Sequence, residues 1–210
     1  RDRLRSRGLG DVYKRQSHMW VYRTGKYQMD RQVILYDYQK TRKADHPREF
    51  LKDFRGVCVT DGYQVYHTLE GELEDLEISG CWAHSRRRYD EAVKALPKSE
   101  QKMSLAYLAL SQIQQIYHEE AELQDMTPAE RRKHRQKFIK PLVDAYFNWI
   151  RINIDKVMPK SKTYNGMTYS INQEKYLRRF LDDGEIPIDN NAAEQSIRSF
   201  CIGNPTVVIK

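Results

Sequence analysis

The chain has 210 residues, enough for one domain with a sizeable core, and is 40% apolar and 31% charged. No run approaches the roughly 18 apolar residues that span a bilayer, and no charged-then-apolar leader suggests export. A membrane partner is thereby excluded, and a cytoplasmic setting is expected. The three cysteines, Cys58, Cys81 and Cys201, are odd in number and far apart, which argues against a disulfide framework or a zinc knuckle.

Residues 1–16, RDRLRSRGLGDVYKRQ, hold six Lys/Arg against two Asp and so carry +4 of the net charge of +7, leaving +3. This leader has neither an apolar period nor a capping signal. Its SRGLGDVYKRQ portion reads like a translated sequencing adapter, and it is expected to be non-native. The competing reading is a basic arm that binds DNA. Without the leader, charge alone is weak evidence for a nucleic-acid partner.

Two runs rich in β-branched and aromatic residues come next, Met19–Thr24 and Gln32–Tyr38, with Gly25 in the connection. Pro47 in HPREFLKDF fits the first turn of a short helix. The apolar run GVCVT, residues 56–60, predicts a buried strand ending at Asp61-Gly62. Helical turns over Tyr63–Leu69, a strand over Leu76–Cys81 and a helix from Trp82 to Leu96 follow, and Pro97 stops that helix.

Residues 99–157 read as wholly helical. One apolar stripe joins Leu105, Leu108, Ile113, Ile116 and Leu123. A capping box opens at Thr127-Pro128-Ala129-Glu130. The helix behind it places Phe138, Leu142, Ala145, Trp149 and Ile152 on one face, with a kink or break expected at Pro141. Ser170-Ile171-Asn172-Gln173 reads as a second capping box, opening a helix that Gly184 closes. A last helix starts near Asp189 or Asn190 and runs through Ile197. This order predicts an α/β fold, a mixed sheet with helices on both faces.

Three segments could carry chemistry. In TDGYQVY, Asp61 stands at the carboxyl end of an apolar strand, where α/β sheets place their ligands. An Asp-Gly turn former is an equally good local reading. In IDNNAAEQSIR, Asp189, Asn190 or Asn191 can cap a helix whose first or second turn holds Glu194. Glu194 could merely pair with Arg198 four residues on, but the small and short polar neighbours suit close packing against a sheet or a substrate. In CWAHSRRR, His84 and Arg88 share a helix face, and Arg86, Arg87 and Arg88 near a helix start suit phosphate; a solvated charge run is the alternative.

Together with MWVYRTG, the segments TDGYQVY, CWAHSRRRY and IDNNAAEQSIRSFCIG resemble the transposases of the insertion-sequence-66 type, over essentially Ser17 to Gly203. The resemblance implies a ribonuclease-H-like mixed sheet, here without its first strand, with a mainly helical insertion before the last catalytic helix. It divides the chain into a core segment 17–98, an insertion 99–169, C-terminal helices 170–203 completing the core, and an atypical tail 204–210. Asp61 would be the second acid and Glu194 the third acid of a DDE triad, both ligands of Mg²⁺ (Mn²⁺ as substitute). Asp189, Asn190, Asn191, His84, Arg86, Arg87, Arg88 and Arg198 would support the site or contact DNA. The implied partner is DNA, as element ends and as target, with a homo-oligomer and element-encoded accessory proteins admitted.

The implied activity is metal-dependent strand cleavage and transfer, with water or a 3′-hydroxyl as nucleophile and no covalent intermediate on the chain's fourteen tyrosines. No residue fits the family's first Asp, so the chain as written is expected to be inactive. A non-catalytic DNA-binding or oligomerisation fragment is the alternative.

Overall fold

The computed structural model describes residues 18–27 and 32–201, the last four by backbone only. The chain divides into two compact units. Within the described residues, the smaller unit holds β1 (His18–Arg23), β2 (Ile34–Gln39), α1 (Asp45–Leu51) and all but the first two residues of α10 (Asn191–Cys201). The larger unit holds Gly25–Tyr27 and everything from Arg55 to Ala192.

In the smaller unit β1 and β2 pair antiparallel, from His18 opposite Gln39 to Arg23 opposite Ile34. The hairpin is clipped just beyond its last strand pair, where Thr24 and Val33 exchange hydrogen bonds at 3.0 Å. Trp20 is buried, and the Tyr22 ring stacks on Phe50 of the segment containing α1, with ring centres 3.6 Å apart. Pro47 lies in the first turn of α1, as its fixed φ and missing N–H favour.

In the larger unit β3 (Gly56–Thr60) and β4 (Leu76–Gly80) run parallel, joined through α2 (Gln64–Glu72). A parallel pair requires such a crossover, whereas a hairpin gives an antiparallel pair. The mixed sheet expected from the sequence is therefore found, among the described residues, as two separate two-stranded sheets, one of each sense. The outer edge of β4 is sealed by side chains. Glu70 accepts the Ile78 N–H at 2.9 Å, and Arg179 donates to the Ile78 carbonyl at 2.7 Å. Such sealing satisfies backbone groups that would otherwise invite another strand.

Residues 98–156 contain only helical elements, beginning with the short α4 (Lys98–Gln101). The larger unit's core joins Trp82 and Tyr89 of α3 (Trp82–Lys94) to Ile113 and Ile116 of α5 (Leu105–Ala121), and to Val143, Tyr146, Phe147 and Ile150 of α7 (Lys140–Asn153). Trp82 is fully buried, and its indole N–H donates to the Leu177 carbonyl at 2.8 Å. An indole that deep in a core needs such a partner.

Four local expectations are corrected. First, the buried face of α7 is Val143, Tyr146, Phe147 and Ile150, one position round from the predicted stripe; Phe138 is 46% and Ile152 67% exposed. The helix has apolar residues on two adjacent faces, so periodicity alone does not choose between them. Likewise Leu108 of α5 is 44% exposed, while Ala106 and Ala109 are buried. Second, the interruption expected at Pro141 is present but falls one turn earlier, as a π turn over Arg135–Ile139 between α6 (Pro128–His134) and α7, which carries Pro141 in its first turn.

Third, Ser170 caps nothing. It lies inside α8 (Lys162–Asn172), where its hydroxyl bonds the Gly166 carbonyl at 3.0 Å and joins the buried hydroxyls of Ser85, Tyr89 and Tyr146. The cap of α8 is Ser161, whose side chain accepts from the Tyr164 N–H. Fourth, Gly184 does not end α9 (Glu174–Arg178) with a left-handed residue. A Cβ there would fall 1.9 Å from the Pro128 carbonyl, so the residue is small because two backbones touch. The capping box at Thr127–Glu130 forms as expected, with both reciprocal bonds present.

One buried ionic cluster has no counterpart in the local sequence pattern. Arg135 is fully buried and pairs with Glu120 through Nε and Nη2, while its Nη1 donates to the Phe180 and Asp183 carbonyls at 2.7 Å. Arg131 donates to the Gly184 and Met126 carbonyls and lies 3.6 Å over the Tyr27 ring. Each cation is thus satisfied by several acceptors, which buried charge requires.

Candidate functional site

The parallel pair brings two strand ends together, Thr60 opposite Gly80. The ladder continues one step further, with the Cys81 N–H donating to the Thr60 carbonyl at 3.1 Å. Asp61 leaves β3 at this point, half-buried, at the carboxyl edge where the sequence predicts a ligand-bearing acid. The turn-former reading is also realised, because Asp61 Oδ1 accepts the Tyr63 N–H at 3.0 Å. The turn passes through Gly62 at φ 78°, in the left-handed region.

Asp61 is also held from a distant element. The Tyr169 hydroxyl of α8 donates to the Asp61 carbonyl at 3.2 Å, and the Arg88 guanidinium lies 4.1 Å from the centre of the Tyr169 ring. Burial pushes the Tyr169 hydroxyl up to about 12 against the opposing pull of Arg88, so it stays protonated at neutral pH. On α2, His67 stacks on Tyr176 with ring centres 4.0 Å apart. Burial lowers its pKa, although the nearby carboxylates of Glu70 and Asp61 oppose that shift.

The segment Ile188–Asn191 docks on the other strand end. The Trp82 N–H donates to the Ile188 carbonyl at 3.1 Å, and the Asn190 N–H approaches Cys81 Sγ at 3.5 Å. Of the three capping candidates, Asp189 is the one whose side chain meets the first residue of α10. Its Oδ1 accepts the Asn191 N–H, at 3.1 Å, and its Oδ2 accepts the Asn191 side-chain amide and the Tyr117 hydroxyl, at 2.8 and 2.9 Å. Burial, and then the Asp189 charge, raise the Tyr117 pKa, so this hydroxyl also remains a donor. Burial likewise holds the thiol of Cys81 up, at about 11, and that of Cys58 at about 12; neither is a thiolate nucleophile near neutrality.

The three arginines stand one turn further along than expected. Arg86, Arg87 and Arg88 are exposed, but α3 begins at Trp82, so they occupy its second turn rather than its start. The helix dipole is felt mainly in the first turn, so the expected electrostatic cost is small. Exposure is what suits them to phosphate. Arg88 is additionally drawn to Tyr169. His84 is half-buried in the first turn of α3, its backbone N–H donating to the Cys81 carbonyl at 3.2 Å.

Glu194 is half-buried in the first turn of α10. It belongs to the smaller unit, where the Tyr36 hydroxyl donates to the Ser196 carbonyl at 2.8 Å and ties α10 to β2. The Arg198 side chain, and with it the alternative ion pair, lies outside the described residues.

Among the described residues no three His, Cys, Asp or Glu side chains gather as one ligand set. The hard carboxylate oxygens of Asp61 suit a divalent cation such as Mg²⁺ in kind. Asp189 suits one less, with both oxygens taken by Tyr117 and Asn191. No described helix is long and apolar enough to cross a membrane.

Sequence reasoning missed Tyr169 and Tyr117. Each reaches its acid from far along the chain, 108 and 72 residues away, and no local pattern marks a tyrosine for that task.

The family model described as Transposase IS66 family matches residues 3–208. Among curated relatives, the uncharacterized protein y4qI of Sinorhizobium fredii (strain NBRC 101917 / NGR234) is 30% identical over 173 residues, covering 79% of this chain and 31% of its own length. The uncharacterized protein y4jD of the same strain is 26% identical over 175 residues, covering 81% of this chain and 33% of its own length. The chain therefore spans about a third of the length of the curated relatives it matches. No solved structure matches it.

Proposed function

The chain belongs to the IS66 transposase family, and from that premise we propose that it is the catalytic segment of a DDE transposase with a ribonuclease-H-like core, cleaving and joining DNA strands. Asp61 and Glu194 serve as its second and third acids. The observation that carries the proposal is the position of Asp61 at the carboxyl end of a parallel strand pair, with the Asp189–Asn191 turn seated on the adjoining strand end.

Asp61 and Glu194 would hold Mg²⁺, with Mn²⁺ as a substitute. When bound, the ions neutralise charge on the phosphodiester and lower the pKa of the attacking hydroxyl. The protein's part is positioning. The turn at Gly62 fixes the direction in which Asp61 leaves β3, and Asp189 fixes the start of the helix that carries Glu194. Arg86, Arg87 and Arg88 contact DNA phosphates without reading sequence, and His84, Asn190 and Asn191 support the strand-end region from α3 and the α10 entry.

The test is cleavage of DNA carrying element ends by the full-length protein with Mg²⁺ or Mn²⁺. Asp61→Asn and Glu194→Gln are each expected to remove cleavage while DNA binding persists. Undiminished activity in either variant sinks the assignment. Replacing the three arginines by alanine should flatten the log–log salt dependence of binding by about 0.9 for each phosphate no longer neutralised. A second reading, a non-catalytic DNA-binding segment, is favoured by the lack of a three-ligand set among the described residues; salt-sensitive binding without cleavage under either metal would select it.

A further inference from the structure

We propose that Tyr169 is a positioning residue for Asp61, acting from α8 through the backbone of the Asp61-Gly62 turn. The proposal rests on the reading of Asp61 as a metal-binding acid.

Three observations converge on the contact. The Tyr169 hydroxyl donates to the Asp61 carbonyl at 3.2 Å. The same hydroxyl oxygen lies 2.8 Å from where a Cβ on Gly62 would stand, with Gln173 Oε1 at 3.3 Å, so the turn is built against these two side chains with no room between. Gly62 also has φ 78°, a conformation that an L side chain resists, so the turn that meets Tyr169 calls for glycine both by its backbone and by its lack of space. From behind, the Arg88 guanidinium lies 4.1 Å from the Tyr169 ring centre and fixes the ring by a cation–π contact.

The physical consequence is a division of labour. The Asp61 carboxylate is oriented at Oδ1 by its own loop, through the Tyr63 N–H. The strand-end carbonyl of the same residue is oriented by α8. A carboxylate that must meet a metal ion within a few tenths of an ångström needs both ends of the residue fixed. Tyr169 itself touches neither metal nor DNA; its effect passes through Asp61. Arg88 links the arginine run to the same turn, so a change at the phosphate-contacting face can be felt at the acid.

The experiment compares Tyr169→Phe with Asp61→Asn in the full-length protein. Two readouts are taken, the Mg²⁺ concentration giving half-maximal cleavage of end-containing DNA, and Mn²⁺ binding followed by the loss of the free-ion electron paramagnetic resonance signal. Tyr169→Phe keeps the ring for Arg88 and removes only the hydroxyl. It is expected to raise the half-saturating Mg²⁺ and the Mn²⁺ dissociation constant by about 3- to 10-fold, the worth of one hydrogen bond, with the maximal rate at saturating metal changed less than the metal requirement. A merely structural role would lower stability without moving metal affinity.

If Asp61→Asn leaves metal binding and cleavage intact, the reading of Asp61 fails. If Asp61→Asn abolishes both and Tyr169→Phe changes neither, the positioning role alone is overturned. Should Tyr169→Phe fail to fold, Gly62→Ala displaces the same hydroxyl from the side of the loop and must raise the metal requirement in the same way. An unchanged requirement in folded Gly62→Ala also overturns the proposal.

Discussion

The turn after β3 and the turn before α10 lie at neighbouring strand ends, and each carries an aspartate that a distant tyrosine reaches. They are held in opposite ways. Asp189 is held by its carboxylate, which takes the Asn191 N–H, the Asn191 amide and the Tyr117 hydroxyl. Asp61 is reached by Tyr169 at its backbone carbonyl, and its Oδ1 takes a hydrogen bond from within the turn. A tyrosine that occupies a carboxylate makes it a structural part. At Asp61 the tyrosine meets the carbonyl instead. Two chemically identical residues within one small region are thereby held through different groups.

The largest expected contrast is in activity. Asp61→Asn should lower DNA cleavage by the full-length protein by on the order of 10²-fold or more, yet shift stability by less than about 1 kcal/mol, because an asparagine oxygen can still accept the Tyr63 N–H. A thermal melt of the variant that drops as far as that of an Asp189 variant would erase the distinction. Next comes stability. Asp189→Ala removes three hydrogen bonds to a carboxylate and strands the Tyr117 hydroxyl in a buried setting, for an expected loss of about 2–3 kcal/mol, roughly 4–12 °C in the melting temperature of a chain of this size.

Tyr117→Phe removes one of those bonds alone and should cost about 1 kcal/mol. Combined with Asp189→Ala it should add little, because the two changes share one contact; additive losses would place the tyrosine and the aspartate apart in solution. The smallest effect at neutral pH appears only in alkali. The Tyr169 pKa is raised from 10.0 to about 12 on folding, so above pH 10 the unfolded chain releases a proton that the folded chain keeps. The stability linked to this group is complete below pH 10 and is lost as pH rises from 10 towards 12. Urea unfolding across that range should fall less steeply in Tyr169→Phe than in the natural chain; identical slopes would show that the hydroxyl is not buried against the turn.

Most elements are legible in the sequence because their signals are local. Thr127, Pro128 and Glu130 fix a helix start by bonds that span three residues, and GVCVT before Asp61-Gly62 reads as a strand with a turn behind it, although the strand expected to be buried is half-buried over Val57–Val59 and buried only at Thr60. Where two local readings compete, packing decides, and the sequence does not contain the decision in readable form. Ser170 has the spacing of a helix cap, but its hydroxyl is worth more inside a buried cluster with Ser85, Tyr89 and Tyr146. Residues 138–152 offer two apolar faces, and only the neighbouring helices select Val143, Tyr146, Phe147 and Ile150. Asp61 and Asp189 are both visible as candidates. Their different contacts come from Tyr169 and Tyr117, which no window of the sequence connects to them.

The reach of Tyr169 also sets an order of events in time. The hydroxyl and the carbonyl it holds are separated by 108 residues. At a synthesis rate of about 5–20 residues per second, Asp61 is made roughly 5–20 seconds before its clamp. During that interval α5, α6 and α7 are still being added, and the acid sits on a turn whose outer support does not yet exist. A nascent or prematurely ended chain that stops before α8 carries Asp61 without the contact that shapes its turn. The helical block thus makes the geometry of this acid a late event, reached only once the polypeptide has grown past the segment that completes it.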